Sequence, residues 1–220
     1  MASASKKNLW RDESGAVIVE MTAAIFTFLI ILGGIVDGTH LYYQWNAATK
    51  AVQHGARVAA VSAPVASNLT TTTGLSSSVL PGDPMPAYEC TCNGFTTSCT
   101  GSLPSIPPAC GYSAAAMNTI VYGRGKTACA VPTSDRDIGM CNYFDWNNPT
   151  RRLLPSQVIV RYQYTGLGYA GRPGGPVPTI SVSIQRRTYT YVFLQSLMGK
   201  MPVTLPGLTT TVTGEDLSGS

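Results

Sequence analysis

The strongest constraint on how this chain can fold is a run of twenty-one residues, Ala16 to Val36, that carries a single charge, Glu20. A helix over that run would be ~32 Å long, the thickness of a bilayer's hydrocarbon core, so the run predicts a membrane-spanning helix. A secretory signal peptide has a shorter apolar core, about 7 to 15 residues, closed by a small-residue cleavage site on the far side. Past Val36 the chain instead continues Asp37-Gly38-Thr39-His40-Leu41-Tyr42-Tyr43-Gln44-Trp45, which reads as an aromatic belt at the second interface. Lys6, Lys7 and Arg11 precede the run, and the positive-inside rule then leaves residues 1–15 in the cytoplasm and the rest outside.

A carboxylate at the centre of a bilayer costs roughly 2.5 to 3.5 kcal/mol, and less near an edge, so Glu20 marks a functional site and calls for a partner. It lies about 7 Å along the helix from Gly15, close enough to the cytoplasmic edge to reach part-way out. Lys6, Lys7 or Arg11 could serve as its partner in an ordinary anchor. A cut between Gly15 and Ala16 would instead create an ammonium five residues from the carboxylate, on a helix end that a neighbouring copy could bring alongside.

This arrangement resembles the processing site of the type IV pilin superfamily: a short basic leader, Gly15 before the cut, Glu20 fifth after it, and an apolar helix that is retained. The string Arg11-Asp12-Glu13-Ser14-Gly15-Ala16-Val17-Ile18-Val19-Glu20 looks like the TadE-like pseudopilins of tight-adherence pilus systems. So do Gly33-Gly34-Ile35-Val36-Asp37-Gly38, the later Ala47-Ala48 and Gly55 to Ala60, and the C-terminal Leu205 to Thr213. Met21 stands where Flp-type pilins of this system commonly carry an aromatic residue. The resemblance covers about a third of the chain and none of the stretch from Ser62 to Pro155. It implies cleavage by a prepilin peptidase and partnership with other pilin or pseudopilin subunits through the N-terminal helix. It also implies contact with an inner-membrane pilus platform and a pilin-like fold.

Six cysteines, Cys90, Cys92, Cys99, Cys110, Cys129 and Cys141, all lie after the run. An even count on one side of a membrane points to an oxidising compartment and up to three disulfides, whose connectivity the sequence leaves open among fifteen pairings. A zinc site at Cys90-Thr91-Cys92 has the wrong spacing, and no histidine lies beyond His54. The net charge of +4 is spread thinly, with no basic run beyond Arg151-Arg152 and Arg186-Arg187, so nucleic acid is not an expected partner. The two histidines, His40 and His54, both fall on the first helix. No catalytic constellation is evident, and no catalytic, cofactor or metal residue is assigned.

In chain order, residues 1–15 form a cytoplasmic leader and 16–62 one long helix, transmembrane over 16–36 and periplasmic over 37–62. Within it Leu41, Trp45, Ala48, Val52, Gly55 and Ala59 share a stripe that predicts packing on the domain's own sheet. Gly33-Gly34 reads as a bend, and Ala63-Pro64 ends the helix. Residues 63–155 read as a loop-rich, cysteine-containing region with a short helix capped by Ser113. Gly125-Lys126-Thr127 is too fragmentary for a phosphate loop, and Asp135-Arg136-Asp137 lacks the remaining ligands of a calcium loop. Residues 156–213 read as an antiparallel sheet, from the alternation in Val158 to Tyr164 and in Ile180 to Ile184, and 214–220 as a tail. The expected class is α+β, a long N-terminal helix on a small antiparallel sheet with a disulfide-stapled insertion.

The function these readings imply is a minor pilin or pseudopilin in assembly of a tight-adherence pilus, single-pass in a bacterial inner membrane, with its C-terminal domain periplasmic or carried out on the pilus. An uncleaved single-span scaffold or surface-binding protein of the same apparatus is the alternative, and the two differ at one bond.

Overall fold

A computed structural model describes residues 13–101, 111–145, 148, 151–185, 187–199, 202–204 and 206–214. The chain divides into two compact units, one of Met1–Tyr43 with Tyr189–Val203 and the other of Gln44–Thr188 with Thr204–Ser220.

Helix α1 runs over Glu13–Val61. It contains no proline, and its end is set by Ala63-Pro64, since the residue before a proline is driven out of the helical region. The helix passes unbroken through Gly33-Gly34, the pair that reads from sequence as a bend. Among the described residues it is the one helix long and apolar enough to cross a membrane. The hydroxyls of Thr22 and Thr27 donate back to the carbonyls of Ile18 and Ala23 at 2.7 and 2.9 Å, which satisfies them where no water could.

The larger unit is built on a five-stranded sheet, antiparallel throughout, in the order β2-β1-β3-β4-β7. Its strands are β1 (Tyr88–Asn93), β2 (Thr96–Gly101), β3 (Val158–Gln163), β4 (Thr179–Ile184) and β7 (Leu208–Thr213). Strands β5 (Thr188–Thr190) and β6 (Pro202–Thr204) make a separate two-stranded ribbon. The period-two alternation of β3 and β4 puts Val158, Val160, Tyr162, Ile180, Val182 and Ile184 on the buried face. The opposite face carries polar partners, Ser181 against Thr211 at 3.1 Å and Arg161 against Glu89 at 3.3 Å.

The hairpin β1-β2 lies inside the region read from sequence as loop. Its inward positions are Tyr88, Cys90 and Cys92 rather than aliphatic residues, and the two-residue turn is Gly94-Phe95, with glycine at the first turn position, where tight hairpins call for a positive φ. Gly94 has φ +55°, and a Cβ there would lie 2.5 Å from the Ser156 Cα.

Ala48, Ala51, Val52, Ala56, Ala59 and Ala60 of α1 join the buried core with the sheet and with helix α2 (Ala114–Tyr122). Small side chains permit close approach: a Cβ on Gly55 would stand 2.4 Å from the Met140 sulfur. Tyr162 is fully buried, and its hydroxyl accepts the Val65 N–H at 2.9 Å just past the end of α1. Helix α2 starts where the Ser113 hydroxyl accepts the Ala116 N–H at 3.2 Å and stops at Gly123, φ +98°.

Candidate assembly interface

The N-terminal end of α1 presents everything outward. Gly15, Ala16 and Glu20 are exposed, as are Val17, Ile18, Val19 and Met21, each at least 62% accessible. A Cβ at Gly15 would meet nothing within 4 Å. Glu20 forms no ion pair among the described residues; Lys6, Lys7 and Arg11 lie outside them. A carboxylate with no ion pair among the described residues, on an exposed apolar helix, is complementary to a cation brought by another chain.

Just past Val36 the helix surface changes character. Asp37 has no exposed surface. Its Oδ1 accepts the N–H groups of Val192 and Phe193 at 2.8 and 3.1 Å, and its Oδ2 those of Phe193 and Leu194 at 3.2 and 2.8 Å. These are the donors at the start of α3 (Leu194–Met198), whose own N-cap residue, Phe193, supplies no capping side chain. Asp37 therefore caps α3 from 156 residues away in sequence. Burial acts to raise the Asp37 pKa, but the three N–H groups and neighbouring His40 outweigh it and hold the carboxyl below the usual carboxylate range. The Phe193 ring lies on Gly33, where a Cβ would stand 1.9 Å from its Cδ1. The rings of His40 and Tyr189 are 5.7 Å apart. Gly33, Asp37 and His40, spaced by four and three, form one stripe that receives the 189–194 segment. Sequence reasoning missed this stripe; its visible trace was an acid at the span's exit with no local partner.

Residues 15–57 match the family model of TadE-like proteins. The match takes in Gly15, Ala16, Glu20 and Asp37 and ends within α1, before the first strand. No curated protein and no solved structure matches the chain. The match covers 43 of the chain's 220 residues and, over that helix, likens it to proteins associated with tight-adherence pilus systems and with a membrane.

Beyond the TadE-like helix, disulfides join Cys90 to Cys99 and Cys129 to Cys141. The first spans directly opposed positions of β1 and β2. The second closes the loop after α2, where Lys126 lies 4.0 Å from Asp137 and the Thr133 hydroxyl donates to the same carboxylate at 2.5 Å. That hydroxyl is the leading reason the Asp137 pKa is lowered. Cys92 forms no disulfide among the described residues. It is buried, and its register partners are Thr97 on β2 and Val160 on β3. Cys110 lies outside the described residues.

Burial pushes the Cys92 thiol up to about 11, with the Thr97 hydroxyl, 3.5 Å from its sulfur, partly offsetting. At pH 8 its thiolate fraction is then about 0.1%, against about a quarter for an unperturbed thiol. Iodoacetamide at pH 8 is therefore expected to leave Cys92 unmodified in the folded chain, as read by peptide mass spectrometry; stoichiometric labelling would contradict its burial.

An open cleft of about 380 Å³ is lined by His54, Ser62, Thr119, Arg124, Asp135 and Arg136, among others. His54 is engaged there, its Nε2 2.9 Å from the Ile138 carbonyl oxygen. Among the described residues no group of three or more His, Cys, Asp or Glu is placed to hold a metal ion.

Proposed function

We propose that the chain is a minor pilin or pseudopilin of a tight-adherence pilus, cut after Gly15 by a prepilin peptidase and assembled through α1. The observation that carries this reading is the exposed Glu20, without an ion pair among the described residues, five residues past Gly15 on an apolar helix that the TadE-like model matches. The new ammonium at Ala16 supplies the missing cation. Within a filament or a priming complex it sits against Glu20 of a neighbouring copy, and low dielectric strengthens the pair. The surface of Val17 to Val36 gives the apolar packing, with the cysteine-containing domain outside the membrane. The partners on this reading are other pilin subunits, the peptidase, the inner-membrane platform and the bilayer.

The mass of the chain's N-terminus decides it. Chain extracted from membranes of cells with the matching peptidase is expected to begin at Ala16, and chain from cells without it to keep its leader. An intact leader in both would leave an uncut single-span scaffold of the same apparatus.

A further inference from the structure

We propose that the Tyr191-Val192-Phe193-Leu194 segment is a second membrane contact, an interfacial foot seated in the outer leaflet beside the span. The proposal rests on reading Ala16 to Val36 as membrane-spanning. Gly33 lies three residues, about 4.5 Å, inside the far end of that run. Phe193 packs directly on Gly33, so its ring sits at the depth of the acyl chains rather than beyond the headgroups. Val192 and Phe193 are nevertheless 56% and 45% exposed, and an apolar pair at that depth is covered by lipid. Tyr42 and Tyr43, 69% and 67% exposed on α1 just past Asp37, continue the same aromatic level.

The backbone chemistry fits the same environment. Non-helical backbone is tolerated beside hydrocarbon only where its polar groups are satisfied. The N–H groups of Val192, Phe193 and Leu194 are all satisfied by Asp37, whose own charge is thereby removed from the lipid-facing surface. Asp37 thus makes it possible for an irregular segment to enter the interface.

The test uses the full chain in phosphatidylcholine vesicles, with Trp10, Trp45 and Trp146 replaced by Phe and one tryptophan introduced by Phe193→Trp. Val192→Trp is a second reporter, chosen because that side chain already has room. Lipids brominated near the glycerol end of their acyl chains are expected to quench either reporter strongly, those brominated near the methyl end less, and aqueous acrylamide little. Adding Asp37→Ala should reverse this, with acrylamide quenching gained and lipid quenching lost. A reporter open to acrylamide in the parent chain would overturn the proposal by placing the segment in water, and one reached by neither quencher would overturn it by showing a protein cover. Retained lipid quenching in the Asp37→Ala chain would overturn the role given to Asp37. A separate reporter, Phe26→Trp, checks the span itself. If methyl-end bromines do not quench it, the membrane reading fails. Normal quenching of the Phe26→Trp reporter together with an aqueous Phe193→Trp reporter condemns the foot alone.

Discussion

Glu20→Ala is expected to leave the chain in the membrane and to remove it from assembled filaments. The two effects separate because they have opposite signs. Taking a carboxylate out of the span relieves a cost of roughly 2.5 to 3.5 kcal/mol at the bilayer centre, somewhat less at the depth of Glu20, so insertion becomes easier. Assembly loses the acceptor for the Ala16 ammonium, and the neighbour's cation is left in hydrocarbon without a counter-charge. A deficit of only about 1.4 kcal/mol per subunit already lowers incorporation tenfold, and an uncompensated charge in that setting costs more. Immunoblots of sheared surface filaments should therefore fall by about tenfold or more, while carbonate-resistant membrane protein is unchanged. Moving the acid one residue along, in the double variant Glu20→Ala with Met21→Glu, turns it about 100° around the helix and should not restore assembly. Normal piliation by Glu20→Ala would sink the pairing.

How far the sequence foretold this molecule depended on the range over which each feature is encoded. The span needed only composition and length. Ser113 was readable as a cap because a cap contacts residues three positions away. The pair β3-β4 was readable because Val and Ile alternate with polar residues along each strand. Hairpin β1-β2 was not, since its inward positions are filled by cysteines and a tyrosine within a Ser/Thr-rich background. There a disulfide does the stapling that aliphatic side chains do elsewhere, and Gly94 at the first turn position was the surviving local signal. The contact of Asp37 with Val192 to Leu194 bridges more than 150 positions, so no window of sequence contains it. Gly33 shows the same limit. As a glycine in a helix it suggests a bend, and the reason for its missing side chain is Phe193, which arrives from the far end of the chain.

The largest effect on stability is expected from Gly139→Ala. Gly139 has φ −112°, a conformation any residue adopts, so the substitution carries no backbone strain of its own. A Cβ there would stand 2.4 Å from the Gly123 nitrogen and the Tyr122 carbonyl carbon, and 2.5 Å from the Val121 oxygen. All three are backbone atoms at the end of α2, and none can turn aside as a side chain could. The chain around Gly139 must therefore lift from the helix, pulling against the adjacent Cys129–Cys141 bridge and the His54 contact with Ile138. Overpacking of this kind costs about 3 kcal/mol, which in a chain of this size lowers Tm by roughly 6 to 12 °C. Gly125→Ala is the matched comparison. Its φ of +71° disfavours any Cβ, yet the space around it is open, so the cost should stay near about 1 kcal/mol, the conformational penalty alone. Thermal unfolding of the detergent-solubilised full chain, followed by circular dichroism, should rank wild type above Gly125→Ala and Gly125→Ala well above Gly139→Ala. Equal losses from the two variants would mean that the backbone contact between Gly139 and the end of α2 does not hold this part of the fold.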